Sequence, residues 1–154
     1  MTSRQGLGKG GVTLDIATPP ASLDPRFPLS RRELLALADT LLAVLGLTGC
    51  RLSLTLVDDA GVAALNEEFL RCAGPTNILS FPEGDPDCPE ELGALFLSVE
   101  TLAREAFLYG QQPREHLARL LAHGILHLAG HDHGPEMDAL TDLATACAFA
   151  PSAS

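Results

Sequence analysis

The sequence has no long hydrophobic run, no paired cysteine motif and no excess of basic residues. A membrane-spanning helix needs about 18 or more consecutive apolar residues. The longest apolar helical stretch, residues 34–47, is interrupted by Asp39 and Thr40. No apolar segment follows the polar N-terminus, so a secretory signal is not indicated. These absences predict a soluble, cytoplasmic protein without membrane contact.

The cysteine spacing and the net charge each argue against one class of function. The four cysteines contain no C-x-x-C pair, which argues against a thiolate zinc site and fits free thiols in a reducing cytosol. The chain has 10 Lys and Arg residues against 20 Asp and Glu residues, and its formal net charge is −10. This charge argues against broad, charge-driven nucleic-acid binding, although a local positive site remains compatible with it.

Histidine, in contrast, is concentrated in one short segment. Residues 123–133 read HGILHLAGHDH and contain four of the five histidines. His123 and His127 are four residues apart, so they lie on one face of a helix. Gly130 can end that helix, and the chain can then return His133 to the same face. Three neutral imidazoles that converge on one point are the ligands of a catalytic zinc with an open fourth position. The segment predicts a zincin-like site that holds one zinc ion.

The histidine spacing matches the protease pattern H-E-x-x-H-x-x-G-x-x-H except at one position. The pattern places a glutamate after the first histidine, where it is the general base of peptide hydrolysis, whereas this chain has Gly124. Proteolysis by that route is therefore disfavoured. A small, strongly positive site suits an anionic phosphodiester, because it stabilises charge on phosphoryl oxygens. Asp132 is a candidate to orient an imidazole or to accept a proton, and simple exposure to water is the alternative.

Strand and helix patterns alternate along the rest of the chain. Predicted strands cover residues 12–17, 51–57, 76–81 and 92–98; predicted helices follow the capping box Ser30–Glu33, the turn 58–61, Ser98, Pro113 and Gly134. We expect an α/β or α+β fold with a small mixed sheet of about four strands packed by about five helices. Residues 1–11 are predicted to be a flexible leader, and residues 12–150 a single domain.

Two further segments, together with the histidine motif, resemble the sequences of a known family. LNEEFLRCAGPTNILSFP, residues 65–82, and LGALFLS, residues 92–98, resemble segments of YbeY, the bacterial endoribonuclease family of rRNA maturation, in the same order and near the same spacing. The resemblance covers most of residues 51–140. It implies a metal-dependent endoribonuclease of small α/β form that is specific for single-stranded RNA. By position, His123, His127 and His133 match the family's zinc ligands.

The resemblance also implies a cellular role and partners. The family acts in maturation of the 3′ end of small-subunit rRNA and in ribosome quality control. The expected partners are this RNA, the ribosome, and a ribosomal protein or assembly GTPase. An arginine that the family uses toward RNA falls on Leu70 in an ungapped alignment, which leaves Arg71 as the candidate phosphate contact. The family's Asp after Gly93 is Ala94 here, so any role of that carboxylate is absent or supplied elsewhere.

Two other functions remain compatible with the sequence. One is a zinc hydrolase for another substrate, including a peptide. The other is a non-catalytic ribosome-assembly factor whose metal is structural and holds the last helix to the core. The net charge of −10 favours this second alternative mildly, because strong unaided RNA affinity is not expected of an acidic chain. A structural metal predicts unfolding on chelation, whereas an open catalytic site loses activity before structure.

Overall fold

A five-stranded mixed sheet lies at the centre of the structure, a computed structural model that describes residues 3–5, 11–16, 29–70, 77–132 and 134–149. The strands are β1 (Ser3–Gln5), β2 (Val12–Ile16), β3 (Arg51–Val57), β4 (Ile78–Pro82) and β5 (Glu91–Ser98). Their order in the sheet is β1-β2-β3-β5-β4. The strands β2, β3 and β5 are parallel, and each outer strand is antiparallel to its neighbour.

The mixed α/β fold predicted from the sequence is confirmed, with one strand more than expected. All four predicted strands form, and β3 begins and ends at the predicted residues. The additional strand, β1, consists of three residues of the predicted leader and pairs with β2. Its sequence, SRQ, has no apolar alternation that could have indicated a strand. The other residues from 1 to 10 lie outside the described part of the chain.

Five α-helices occur in the described residues: α1 (Arg31–Val44), α2 (Asp59–Leu65), α3 (Val99–Leu108), α4 (Pro113–Leu128) and α5 (Pro135–Ala148). A π-helical turn, Asn66–Leu70, continues α2. No helix in these ranges is both long enough and apolar enough to cross a membrane. Cys50, Cys88 and Cys147 are free thiols, and Cys72 lies outside the described residues.

The helix starts follow local capping signals. Ser30 forms the predicted capping box at the start of α1, and Ser98 caps α3. Pro113 is the first residue of α4, as predicted. The prediction for α2 was wrong at its start, because residues 58–61 do not form a separate turn. Asp58 accepts a hydrogen bond from Gly61 N at 2.8 Å, so it is an N-cap and the helix begins at the next residue.

One face of the sheet carries the main core. Leu52, Leu54 and Leu56 of β3 lie on this face beside Leu95 and Leu97 of β5, and all five are buried. The helices α1 and α4 pack on this side of the sheet, and α5 packs on both of them. Most of α4 is buried, as predicted. The helix that carries the first two histidines is therefore held rigidly against the sheet.

The opposite face is covered in part by α2. Val57, Val62 and Leu79 form a second, smaller buried cluster, and Phe81 packs against it. The prediction that β3 has one wet face is therefore wrong toward its C-terminal end, where Thr55 and Val57 are buried. The helix α2 covers this end of the strand through a tertiary contact. The alternation of polar and apolar residues within β3 cannot indicate such a contact.

Candidate metal centre

The two histidines near the C-terminal end of α4 lie side by side. His123 and His127 are one helical turn apart, and their Nε2 atoms are 3.2 Å from each other. The rings meet edge to face with centroids 4.7 Å apart. Two nitrogens on one tetrahedral zinc, each about 2.0–2.1 Å from the metal, are separated by about 3.3 Å. The pair therefore fits two adjacent ligand positions of a single zinc ion.

The helix α4 ends at a turn around Gly130, as predicted. Gly130 has a φ of +97°. Its N donates to His127 O, and His131 N donates to Leu126 O, each at 3.0 Å. These two bonds form a Schellman turn, which requires a left-handed residue at this position, and glycine adopts that conformation without strain. The helix ends within two residues of His127 for this reason.

The third predicted ligand, His133, lies outside the described residues. Among the residues that the structure does describe, no group of three His, Cys, Asp or Glu side chains comes together at a metal-binding distance. The zincin-like three-histidine site therefore stays a prediction, and the structure shows only that His123 and His127 lie next to each other on α4. Arg71 also lies outside the described residues, so its contact with phosphate stays a prediction as well.

A cleft of about 530 Å³ opens beside the histidine pair. Residues 77–80 and Pro82 line it on the strand side; His123, His127 and residues 130–132 line it on the helix side. His131 and Asp132 thus lie in the same cleft as the histidine pair, and Asp132 is exposed. The cleft thus brings imidazoles and a carboxylate to one place, and these are groups that metal-assisted hydrolysis can use.

Gly124 allows α4 to approach the sheet closely. A Cβ at this position would be 2.9 Å from Leu95 Cδ2 and 3.0 Å from Ile78 Cδ1. The position that carries the glutamate in the protease pattern is therefore buried against apolar side chains. A carboxylate there would be desolvated without a partner, which is costly. A side chain at the position of the protease glutamate would therefore press on Leu95 and Ile78.

Asn77 is held firmly at the strand side of the cleft, although the sequence interpretation did not single it out. Its Oδ1 accepts a hydrogen bond from Ile78 N at 2.7 Å, and its Nδ2 donates to Glu105 Oε1 at 3.2 Å. Glu105 Oε1 is also 2.9 Å from Nε2 of the buried His116. Because a carboxylate only accepts, Glu105 fixes which end of the Asn77 amide faces the strand.

A second polar network joins α2 to α3 outside the cleft. Asp59 Oδ1 accepts hydrogen bonds from Ser98 Oγ at 2.5 Å and Thr101 Oγ1 at 2.6 Å, and Asp59 Oδ2 is 3.0 Å from Arg104 Nη1. Burial acts to raise the pKa of Asp59, but the bonds from Ser98, Thr101 and Arg104 together hold the pKa below its ordinary value. None of these four residues lines the cleft. The network supports the fold around the site.

The chain is similar to proteins of one family over most of its length. The family model described as Endoribonuclease YbeY matches residues 28–143. The Endoribonuclease YbeY of Oleidesulfovibrio alaskensis is 45% identical over 148 residues, covering 82% of this chain and 88% of that protein. The Endoribonuclease YbeY of Nitratidesulfovibrio vulgaris is 46% identical over 143 residues, covering 81% of this chain and 88% of that protein.

A solved structure shares the fold. The solution structure of TM1509 from Thermotoga maritima matches with a TM-score of 0.62 and covers 90% of this chain and 88% of that one. At 20% sequence identity, this likeness bears on the fold alone. The family model and the curated relatives show that the chain belongs to the YbeY endoribonuclease family.

Proposed function

We propose that this protein is a zinc-dependent endoribonuclease that cleaves single-stranded RNA and acts in maturation of the 3′ end of small-subunit rRNA. The observation that carries the proposal is the His123–His127 pair, whose Nε2 atoms lie 3.2 Å apart beside a cleft, in a chain of this family. His133 is the proposed third ligand, because residues 131 and 132 already line the same cleft. A bound zinc ion would supply positive charge that stabilises negative charge on phosphoryl oxygens.

The chain's own residues supply substrate binding and proton transfer. Asp132 lines the cleft and is exposed, so its carboxylate is available to accept a proton from the attacking oxygen. Arg71 is proposed to bind a phosphate, since a guanidinium can donate two parallel hydrogen bonds to phosphate oxygens. Gly124 carries no side chain that could be a protease-type base, and a Cβ there would press on Leu95 and Ile78, which supports a phosphodiester rather than a peptide bond as the substrate.

The acidic charge supports delivery of the RNA by a partner. With a net charge of −10, most of the surface repels a phosphate backbone, so affinity for free RNA is expected to be low. A ribosomal protein or an assembly GTPase on the ribosome would bring the rRNA to the cleft. This role belongs to ribosome biogenesis and quality control in the cytoplasm.

Metal analysis and an RNA cleavage assay on one preparation test the proposal. The wild-type protein should carry one zinc ion and cut single-stranded RNA in preference to duplex RNA and to peptides. His127→Ala should lose both the zinc and the cleavage. Asp142→Ala, at an exposed position of α5, is the control and should keep both. Cleavage by His127→Ala at the wild-type rate would overturn the proposal, as would peptide hydrolysis without RNA cleavage.

Chelation separates a catalytic metal from a structural one. A chelator should abolish cleavage while the circular dichroism spectrum at room temperature stays that of the folded protein, and added zinc should restore the activity. Unfolding on chelation would instead favour the non-catalytic assembly factor, in which the metal holds the last helix to the core.

A further inference from the structure

Among the described residues, no strand pairs with the outer edge of β4, and this free edge borders the histidine cleft. The cleft is lined by Ile78 and Ser80, whose side chains lie on the α4 side of the sheet, and also by Leu79, whose side chain belongs to the opposite face. A cleft that reaches residues of both faces passes over the edge of the strand itself. The backbone groups along that edge are therefore accessible to a ligand that also meets the histidine pair.

The hydrogen bonds to β5 determine which backbone groups face this edge. In an antiparallel pair, successive residues direct their N–H and C=O groups alternately toward the partner strand and away from it. Ser98 N donates to Asn77 O, and Glu83 N donates to Leu92 O, each at 3.0 Å. These two bonds and the register of β4 and β5 show the direction of the backbone groups. The N–H and C=O groups of odd-numbered β4 residues face β5, and those of even-numbered residues face the free edge.

Only one of the three even-numbered residues offers a backbone donor at the edge. Ile78 N–H is capped by Asn77 Oδ1 at 2.7 Å. Pro82 has no N–H. The N–H of Ser80 is neither capped nor missing, so a ligand can accept a hydrogen bond from it. The Ser80 hydroxyl lies 3.4 Å from Gly124 O of α4. Along the described residues of this edge, Ser80 N–H is thus the single available backbone donor.

The cap on Ile78 N is enforced by residues of two helices. Glu105 of α3 accepts a hydrogen bond from Asn77 Nδ2, and Glu105 is held in turn by the buried His116 of α4. If the Asn77 amide turned over, its oxygen would face the carboxylate and its nitrogen would face Ile78 N–H. Both contacts would then be repulsive. Contacts from α3 and α4 thus keep the Ile78 N–H bonded to Asn77 Oδ1.

This pattern of donors discriminates between two classes of ligand. A peptide that adds to a sheet edge uses main-chain donors and acceptors at successive alternate residues, and β4 lacks the donor on both sides of Ser80. One isolated N–H suits a single oxygen atom that carries negative charge, such as a phosphoryl oxygen. The edge of β4 therefore favours a phosphodiester and disfavours an extended peptide.

We propose that Ser80 N–H binds a non-bridging oxygen of the scissile phosphodiester, and that the blocked donors at positions 78 and 82 exclude extended peptides from the cleft. The inference rests on the proposed endoribonuclease function and deepens it. It assigns the substrate phosphate to the space between β4 and the pair His123 and His127, because both line the cleft.

An amide-to-ester replacement at Ser80 removes this N–H and keeps the side chain. The ester protein should fold and retain its zinc, but its kcat for single-stranded RNA should fall about 10²- to 10³-fold, the usual effect of losing one donor to a reacting oxygen. The same replacement at Phe81, whose N–H faces β5, is the control and should leave kcat near that of the wild type. A wild-type kcat for the Ser80 ester would overturn this inference alone. Absence of RNA cleavage by the wild-type protein would overturn the proposed function and this inference with it.

A variant that restores the N–H groups at positions 78 and 82 tests whether their absence excludes extended peptides. Asn77→Ala combined with Pro82→Val restores free N–H groups at positions 78 and 82. The folded double variant should bind an extended, alternating Val/Thr peptide in a fluorescence anisotropy titration, whereas the wild type should not. Equal peptide binding by the two proteins, at any level, would show that the missing donors do not set ligand choice.

Discussion

Gly124 of α4 lies so close to Leu95 of β5 that a Cβ at position 124 would be only 2.9 Å from Leu95 Cδ2. Carbon atoms at that distance repel strongly, since favourable contacts begin near 3.5 Å. The absence of a side chain at this position therefore allows the histidine-bearing helix to approach the sheet closely. The position at which the protease pattern has its glutamate is therefore one where packing against the sheet favours glycine.

Gly124→Glu is expected to destabilise the protein without creating a peptidase. Overpacking against Leu95 and Ile78 costs about 1–3 kcal/mol, and burial of the carboxylate adds to this cost. Urea unfolding should show the loss, and peptide hydrolysis should stay undetectable. Ala139→Glu, at an exposed position of α5, is the matched control and should change the free energy of unfolding by less than about 0.5 kcal/mol. A stable Gly124→Glu protein that hydrolyses peptides would contradict this account.

Zinc content after gel filtration should distinguish the ligands from the other histidine of the segment. His123→Ala and His133→Ala should each lose the zinc, because two remaining imidazoles hold it too weakly to survive the column. His131→Ala should retain it, since His131 lies in the Schellman turn and is outside the predicted ligand set. Loss of zinc from His131→Ala together with its retention by His133→Ala would reassign the third ligand.

The stability of the protein should decrease at acid pH in part because of Asp59. Burial acts to raise the pKa of this carboxyl, but hydrogen bonds from Ser98, Thr101 and Arg104 outweigh it, so the folded-state pKa is lowered. The unfolded value is about 3.9. The stabilising contribution is therefore complete above about pH 4 and is lost as the pH falls through the folded-state pKa.

Urea unfolding at a series of acidic pH values measures this contribution. The free energy of unfolding of Asp59→Asn should be lower than that of the wild type near neutral pH and should depend less steeply on pH below about pH 4. Asp142→Asn removes an exposed carboxylate from a surface ion pair, which contributes little, and should follow the wild-type curve. Identical acid dependence in Asp59→Asn and the wild type would rule out this assignment.

The capping box of α1 should contribute measurably to stability. Ser30 Oγ accepts a hydrogen bond from Glu33 N at 3.1 Å, and Glu33 Oε1 accepts one from Ser30 N at 3.0 Å. Ser30→Ala removes the first of these bonds and should cost about 1 kcal/mol. Ser30→Asp restores an acceptor at the helix N-terminus and should recover most of the loss. Thermal unfolding of the three proteins measures the effect, and an unchanged Tm for Ser30→Ala would contradict it.

Features that depend on neighbouring residues could be predicted from the sequence. The caps at Ser30 and Ser98 act on backbone N–H groups three residues away, so the local pattern contains the whole interaction. The pair His123 and His127 is equally local, because helix geometry alone brings residues four apart onto one face. Apolar periodicity identified the buried helix on which they lie.

Asn77 and Ser80 could not be identified in the same way. Asn77 is oriented by Glu105, which is 28 residues away in the sequence. Ser80 gains its role from the position of β4 at the outside of the sheet, and the order of strands cannot be derived from apolar alternation. Pro82 is the one local sign, since proline within a strand indicates an edge.

The strand β5 ends at Ser98 and α3 begins at Val99, with no residue between them. One inserted residue at this junction would rotate α3 by about 100° around its axis. Glu105 would then leave Asn77, and Thr101 would leave Asp59. We therefore expect natural relatives to vary in length within exposed segments such as residues 83–90 but to keep this junction free of insertions and deletions.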